Sequence, residues 1–222
     1  MFAEIVPRYD LLNHVLSLGL DFFWRRALAR RLPRGAALCV ADLCTGTGDQ
    51  AAAVARRLGP GGNVVGLDFC GPMIERACCK YGGRAGLEFV LADATQLPLG
   101  SDCFDAVTVA FGLRNVADQE AALGEMLRVL RPGGQVLVLE FCRPTGWLWP
   151  RIFGFYFGRL VPILGGLVSG RHEAYEYLPT SVERFGPAEA LGRRLEGATF
   201  GGVTVSPLVG GVAVLARGRK SP

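Results

Sequence analysis

Three groups of polar residues in this chain have the types and spacing to do chemistry. The first is the run Asp42-Leu43-Cys44-Thr45-Gly46-Thr47-Gly48-Asp49. Gly46 and Gly48 let the backbone approach a ligand closely, and Gly46-x-Gly48-x-x-Ala51 satisfies a relaxed dinucleotide fingerprint, with Asp68 about 20 residues further on. That pattern alone does not choose between a nicotinamide dinucleotide and S-adenosylmethionine. Charge does. A pyrophosphate rests on the N–H groups of a helix N-terminus, and here Asp42 and Asp49 would repel it. A sulfonium and an ammonium suit two nearby carboxylates. Asp49 also has a plainer reading as a first-turn helix acid, stabilising by about 0.3–1 kcal/mol, and the two readings are compatible.

The second group is Asp68 with Asp93-Ala94. Asp68 is placed to accept both hydroxyls of a ribose, and Asp93 to accept an exocyclic adenine amine; the alternative for Asp93 is a loop acid closing an Asx-turn. The third is Phe111-Gly112-Leu113-Arg114-Asn115-Val116. Arg114 could bind an oxyanion through its fork of donors, with Asn115 donating or accepting beside it. Pairing of Arg114 with Asp118 or Glu120 is the structural alternative, and the residues alone leave both open.

These groups fall at the ends of a regular alternation. Short apolar runs at 37–43, 63–68, 87–93, 104–112 and 135–141 read as strands. Helical segments near 49–58, 72–81 and 117–130 lie between them, and Arg131-Pro132-Gly133-Gly134 reads as the turn into the fifth strand. Residues 5–31 read as two helices broken near Gly19. After Phe141 the alternation stops, then resumes as a hairpin near 203–216. Five strands alternating with helices and closed by an antiparallel pair outline a class I, Rossmann-like methyltransferase sheet of seven strands. The expected organisation is one domain over 1–222: an N-terminal helical cap (1–35), a cofactor-binding core (36–142), an apolar insertion (143–196) and a closing hairpin (197–217).

Composition narrows the class. Apolar residues make up 50% of the 222, with 31 glycines besides, which excludes a disordered chain. The uncharged run Gly197–Ala216 is long enough to span a bilayer, but its glycines and Ser206-Pro207 divide it into two strands. The net charge of +4 is too small to suggest nucleic acid. Seven cysteines without a C-x-x-C pair argue against a disulfide framework or a zinc site, and for a reducing cytoplasm.

With these motifs in view, the chain resembles the ubiquinone/menaquinone biosynthesis C-methyltransferases, the UbiE/MenG family. Phe111 to Val116 matches its signature, and Tyr9-Asp10-Leu11-Leu12-Asn13, Ser17-x-Gly19 and Trp24-Arg25-Arg26 match its opening. Asp42–Asp49, Leu139-Glu140-Phe141, Ser169-Gly170 and Ala174-Tyr175-x-Tyr177-Leu178-Pro179-x-Ser181 match as well. The resemblance implies methyl transfer from S-adenosylmethionine to a ring carbon of a prenylated quinol, with cofactor contacts at Thr47, Asp68, Asp93 and Ala94. On that basis Arg114 is expected to stabilise a phenolate, lowering its pKa. Asn115 is expected to orient a quinol oxygen, and Tyr9 to close over the cofactor or ring.

The segment 147–170, rich in aromatics with widely spaced arginines, reads either as a buried helix or as a lid over the ring that opens toward lipid. The expectation is a cytoplasmic enzyme, with room for peripheral contact at the inner membrane face and for a homo-oligomer.

Overall fold

The fold is seen in a computed structural model that describes Asp10, His14, residues 17–143 and residues 173–222, with the backbone alone for 173–177. Tyr9, most of the first expected helix and the apolar 147–170 segment lie outside the described residues.

Seven strands form one sheet in the order β3-β2-β1-β4-β5-β7-β6. They are β1 (Cys39–Leu43), β2 (Asn63–Asp68), β3 (Leu87–Leu91), β4 (Phe104–Ala110), β5 (Leu130–Phe141), β6 (Gly201–Leu208) and β7 (Ala213–Arg219). The first five pair in parallel, and β7 runs antiparallel between β5 and β6. This is the class I methyltransferase sheet expected from the alternation. One boundary differs. The Arg131–Gly134 turn lies inside β5 rather than before it, because Leu130 already pairs with Phe104 and the register then slips to Gln135 opposite Ala106.

Helices cover both faces. Helices α1 (Leu20–Ala29), α2 (Asp49–Leu58) and α3 (Gly71–Tyr81) precede β1, β2 and β3 respectively, and α4 (Gln119–Val129) precedes β5. Helices α5 (Glu173–Phe185) and α6 (Ala188–Gly197) lead into the closing hairpin. Neighbouring residues along each strand point to opposite faces, so the core divides in two. Leu43, Val107, Val109, Val136 and Val138 pack with Leu123 and Met126 of α4 and Leu191 of α6. Val40, Ala106, Leu137 and Leu139 pack with Trp24 and Leu28 of α1 and Val54 of α2. Gly19, at φ +76°, turns the chain directly into α1, where the sequence places a break.

Candidate functional site

In an open parallel sheet, ligands bind at the carboxyl edge where neighbouring strands send their chains to opposite faces. Here that point lies between β1, which leads to α2, and β4, which leads to α4. A cavity of about 460 Å³ opens there. Its walls are the β1–α2 loop, the ends of β2 and β3, the end of β4 and one residue of α1, Arg25. Backbone strain marks both central strand ends: Cys44 after β1 has φ +52° and Phe111 after β4 has φ +61°, left-handed values uncommon outside glycine. The two loops abut so closely that a Cβ on Gly112 would lie 2.2 Å from that of Cys44.

The β1–α2 loop forms one wall. Gly48 has φ +85°, and a Cβ there would meet the Phe89 ring at 2.8 Å, so this cradle requires glycine on both counts. Gly46, Thr47 and Asp49 line the cavity, whereas Asp42 and Gly48 lie behind the lining. Asp42 is wholly buried, accepting from the Thr45 hydroxyl at 2.7 Å and the Thr108 hydroxyl at 2.6 Å. Burial pushes its pKa up to about 6 despite those two bonds. Asp42, expected beside the ligand, ties β1 to β4 beneath the loop, because its register partner Thr108 presents a hydroxyl on the same face.

Asp49 does reach the cavity. Lys80 donates to it at 2.6 Å and the Tyr81 hydroxyl at 2.7 Å. Burial raises its pKa, but these two partners outweigh that and hold it below the usual carboxylate range. Lys80 also donates to Asp10 at 2.8 Å, and Asp10 accepts from the Thr47 hydroxyl, so an N-terminal residue is fastened to the loop.

At the end of β2, Asp68 accepts from the Gly46 amide at 2.8 Å and the Cys70 amide at 2.9 Å, one on each oxygen. A carboxylate offers about four lone-pair sites, so each oxygen keeps capacity for a ligand hydroxyl. Burial raises its pKa, opposed by those amides. Asp93 and Ala94 lie beside it in the wall. One oxygen of Asp93 takes both the amide and the hydroxyl of Thr95 at 2.8 Å, closing an Asx-turn and lowering its pKa. The two readings of Asp93 coexist, since its second oxygen lies outside that turn.

The end of β4 behaves differently. Leu113–Asn115 form one 3₁₀ turn, and Asn115 lines the cavity. Arg114 does not. Its Nη1 donates to Glu140 on β5 at 2.5 Å and to the Phe111 carbonyl at 2.6 Å, and the Arg114 amide donates to the same carboxylate at 3.1 Å. Glu140 is fully buried. The arginine expected to bind a phenolate is turned inward here, its charge matched by Glu140; among the described residues neither Asp118 nor Glu120 pairs with it.

Sequence reasoning passed over Lys80 and Glu140 as site-forming residues and assigned no role to Arg25. Glu140 stood in a quoted motif, but nothing local links it to Arg114, 26 residues away. Arg25 carried one signal, its place in Trp24-Arg25-Arg26. The cavity-lining Cys44 offers no nucleophile, because burial first and nearby carboxylates second push its thiol pKa far up.

Among the described residues, four carboxylates (Asp49, Asp68, Asp93, Asp118) line the cavity against the single guanidinium of Arg25. A pyrophosphate would be repelled there, and a ligand bearing a sulfonium and an ammonium fits.

Solved structures with the same fold include a SAM-dependent methyltransferase from Thermotoga maritima, at TM-score 0.72 and 19% identity over 99% of this chain and 98% of that one. Another, from Aquifex aeolicus, matches at TM-score 0.65 and 19% identity over 90% and 91%. Among curated relatives, the demethylmenaquinone methyltransferase of Thermus thermophilus is 49% identical over 217 residues, covering 97% of each chain. The ubiquinone/menaquinone biosynthesis C-methyltransferase UbiE of Geotalea daltonii is 39% identical over 225 residues, covering 99% of this chain and 94% of its own. The ubiE/COQ5 methyltransferase family model matches residues 1–220, and with the sheet and cavity described above the chain belongs to that family.

Proposed function

We propose that this chain transfers a methyl group from S-adenosylmethionine to a ring carbon of a demethylated prenyl-quinol. Demethylmenaquinol is the first acceptor, and the equivalent benzoquinol the second to test. The observation that carries the reading is the acid-lined cavity at the junction of β1 and β4, which matches a cationic donor and opposes a pyrophosphate. The relatives' names supply the acceptor.

The residues present fit the donor. Asp68, with lone pairs to spare on both oxygens, would take the ribose; Asp93 and Ala94 would meet the adenine edge; Gly46 and Thr47 would flank the amino-acid end. S-adenosylmethionine supplies a methyl already activated on a positive sulfur. The rest falls to the protein. A phenolic ring carbon becomes strongly nucleophilic once an ortho hydroxyl has lost its proton, and the ring hydrogen leaves as a second proton after the carbon is methylated. Asn115, in the cavity wall, would hold the quinol oxygen, and Arg114 would act through the Glu140 pair by fixing the turn that carries Asn115.

The quinol's prenyl tail implies a lipid-borne substrate. Among the described residues no helix is long and apolar enough to cross a membrane. Phe22 and Phe23 on α1 and Phe69 at the cavity are each more than half exposed, which supports a peripheral approach to lipid. Incubation with S-adenosylmethionine and each quinol, read by mass spectrometry, should show the gain of one CH₂; no gain with either quinol would end the proposal. Co-sedimentation with liposomes tests the lipid approach separately.

A further inference from the structure

We propose that Arg25 binds the carboxylate at the methionine end of S-adenosylmethionine, and so fixes the donor's orientation in the cavity. The inference rests on the cofactor reading above and assigns the one charge which that reading leaves unmatched. The donor carries two positive groups and one negative group. The cavity offers acids for the positive groups, but a carboxylate entering a wall of four carboxylates would be repelled unless a cation met it. Among the described residues lining the cavity, only Arg25 is a cation.

Its guanidinium is available. The Arg25 side chain is 13% exposed, yet its Nε is buried with no hydrogen-bond partner among the described residues. The nearest acid, Asp21, is 4.0 Å away and is already engaged by His14 and by Ser17, each at 2.7 Å. Nε is the guanidinium atom beside Asp21, which leaves the terminal donors of the fork for an anion in the cavity. The guanidinium lies over the Phe111 ring, 5.4 Å from its centroid. Stacking of this kind holds the plane of the fork while leaving its edge free to donate. Its neighbour Trp24 is buried against Phe111 and Phe141, which anchors this part of α1 to the strand ends.

Position selects the carboxylate over other anionic groups. The Arg25 guanidinium lies over Phe111 at the end of β4, where Gly112 abuts Cys44 at the start of the β1–α2 loop. That is the end of the cavity holding Gly46 and Thr47, whereas Asp68 and Asp93 follow β2 and β3. The other nearby cations are committed elsewhere: Lys80 to Asp10 and Asp49, and Arg114 to Glu140.

Calorimetry on the apo protein tests this without turnover. The ligands are S-adenosylhomocysteine and its decarboxylated analogue, 5′-(3-aminopropylthio)-5′-deoxyadenosine; the proteins are wild type, Arg25→Gln and Arg25→Lys. Wild type should prefer the carboxylate-bearing ligand by about 10–100-fold, the range of a charged hydrogen-bonded pair. Arg25→Gln should lose that preference while binding the decarboxylated ligand as wild type does. Arg25→Lys should keep part of it, since it retains the charge but not the fork. A wild type without the preference, or an Arg25→Gln protein that keeps it, overturns the assignment. Should the Gln variant fail to fold, an undiminished preference in Arg25→Lys overturns it equally. Failure of the underlying reading looks different: wild type would bind neither ligand and would bind NADH instead.

Discussion

The two strand ends that frame the cavity use charge in opposite ways. After β1 and β2, carboxylates are held at the surface of the cavity by partners that leave them able to accept more. Asp68 takes one backbone amide on each oxygen, and Asp49 is flanked by Lys80 and Tyr81 yet still lines the wall. After β4 the strongest charge pair turns away from the cavity. Arg114 and Glu140 join β4 to β5, and the Phe111 ring stacks on Phe141 at 4.5 Å. On the proposed reading, one wall recognises a polar ligand and the other keeps a shape against which a flat ring can be placed. A charged residue in a signature motif is therefore not by itself a ligand contact. What its partners leave unsatisfied decides.

Substitutions can break this contrast, and the largest effect is expected at the inward pair. Glu140→Gln leaves the Arg114 guanidinium buried without its counter-charge, which costs about 3–5 kcal/mol of stability. S-adenosylhomocysteine affinity of the protein that remains folded should change little. Chemical denaturation and calorimetry together check this, and weak binding with an unaltered unfolding midpoint would reverse the assignment of the two walls. Replacing both partners, Arg114→Met with Glu140→Leu, should recover much of the stability without restoring turnover.

Next comes Asp42, beneath the recognising wall. Its folded pKa of about 6 lies above the ordinary 3.8, so the native state keeps a proton that the unfolded chain loses in that window. Stability contributed by the protonated form is complete below the lower value and is lost as pH rises through the upper one. At pH 8 the buried charge costs about 3 kcal/mol as an upper bound. Asp42→Asn should therefore gain stability over wild type at pH 8 and little at pH 4, with melts at both pH values as the measurement. The Thr45 and Thr108 hydroxyls can turn to donate or accept as the amide requires.

Asp68→Asn sharpens the ligand side. One backbone amide then faces an NH₂ group, and the ribose loses its acceptor, so S-adenosylhomocysteine affinity should fall about 10–100-fold. Equal affinity by calorimetry would remove Asp68 from the site. The smallest effect is expected at Asp118, which lines the cavity but also caps α4 by accepting from the Ala121 amide at 2.9 Å. Asp118→Ala should cost about 1 kcal/mol of stability with cofactor affinity unchanged; a large affinity loss would move Asp118 into the recognising wall.

These contrasts also show what the chain reveals before it folds. The alternation of short apolar runs and helical segments located all seven strands, and the glycines and acids at strand ends marked the loops that meet at the cavity. Direction was not readable. A strand covered on both faces has no polar side to betray which way a residue points, so Asp42 could be assigned to the loop but not to its underside. Partners distant in sequence were equally hidden: Asp49 finds Lys80 31 residues on, and Arg114 finds Glu140 on the next strand. Arg25 stood in a recognised motif, but only its place in the cavity wall as the one cation among the described lining residues gives it meaning, and that is a property of the folded site.

The position of β7 carries a further consequence, one of timing. It is the last strand in the order of the sequence, yet it lies inside the sheet, pairing residue by residue from Gln135–Arg219 to Phe141–Ala213 on one side and with β6 on the other. During synthesis the strand that carries Glu140 emerges long before its antiparallel neighbour, and until residues 213–219 arrive it presents an unpaired, apolar edge. The nascent chain can assemble β1 to β5 first, but it must shelter that seam until residues 213–219 have emerged.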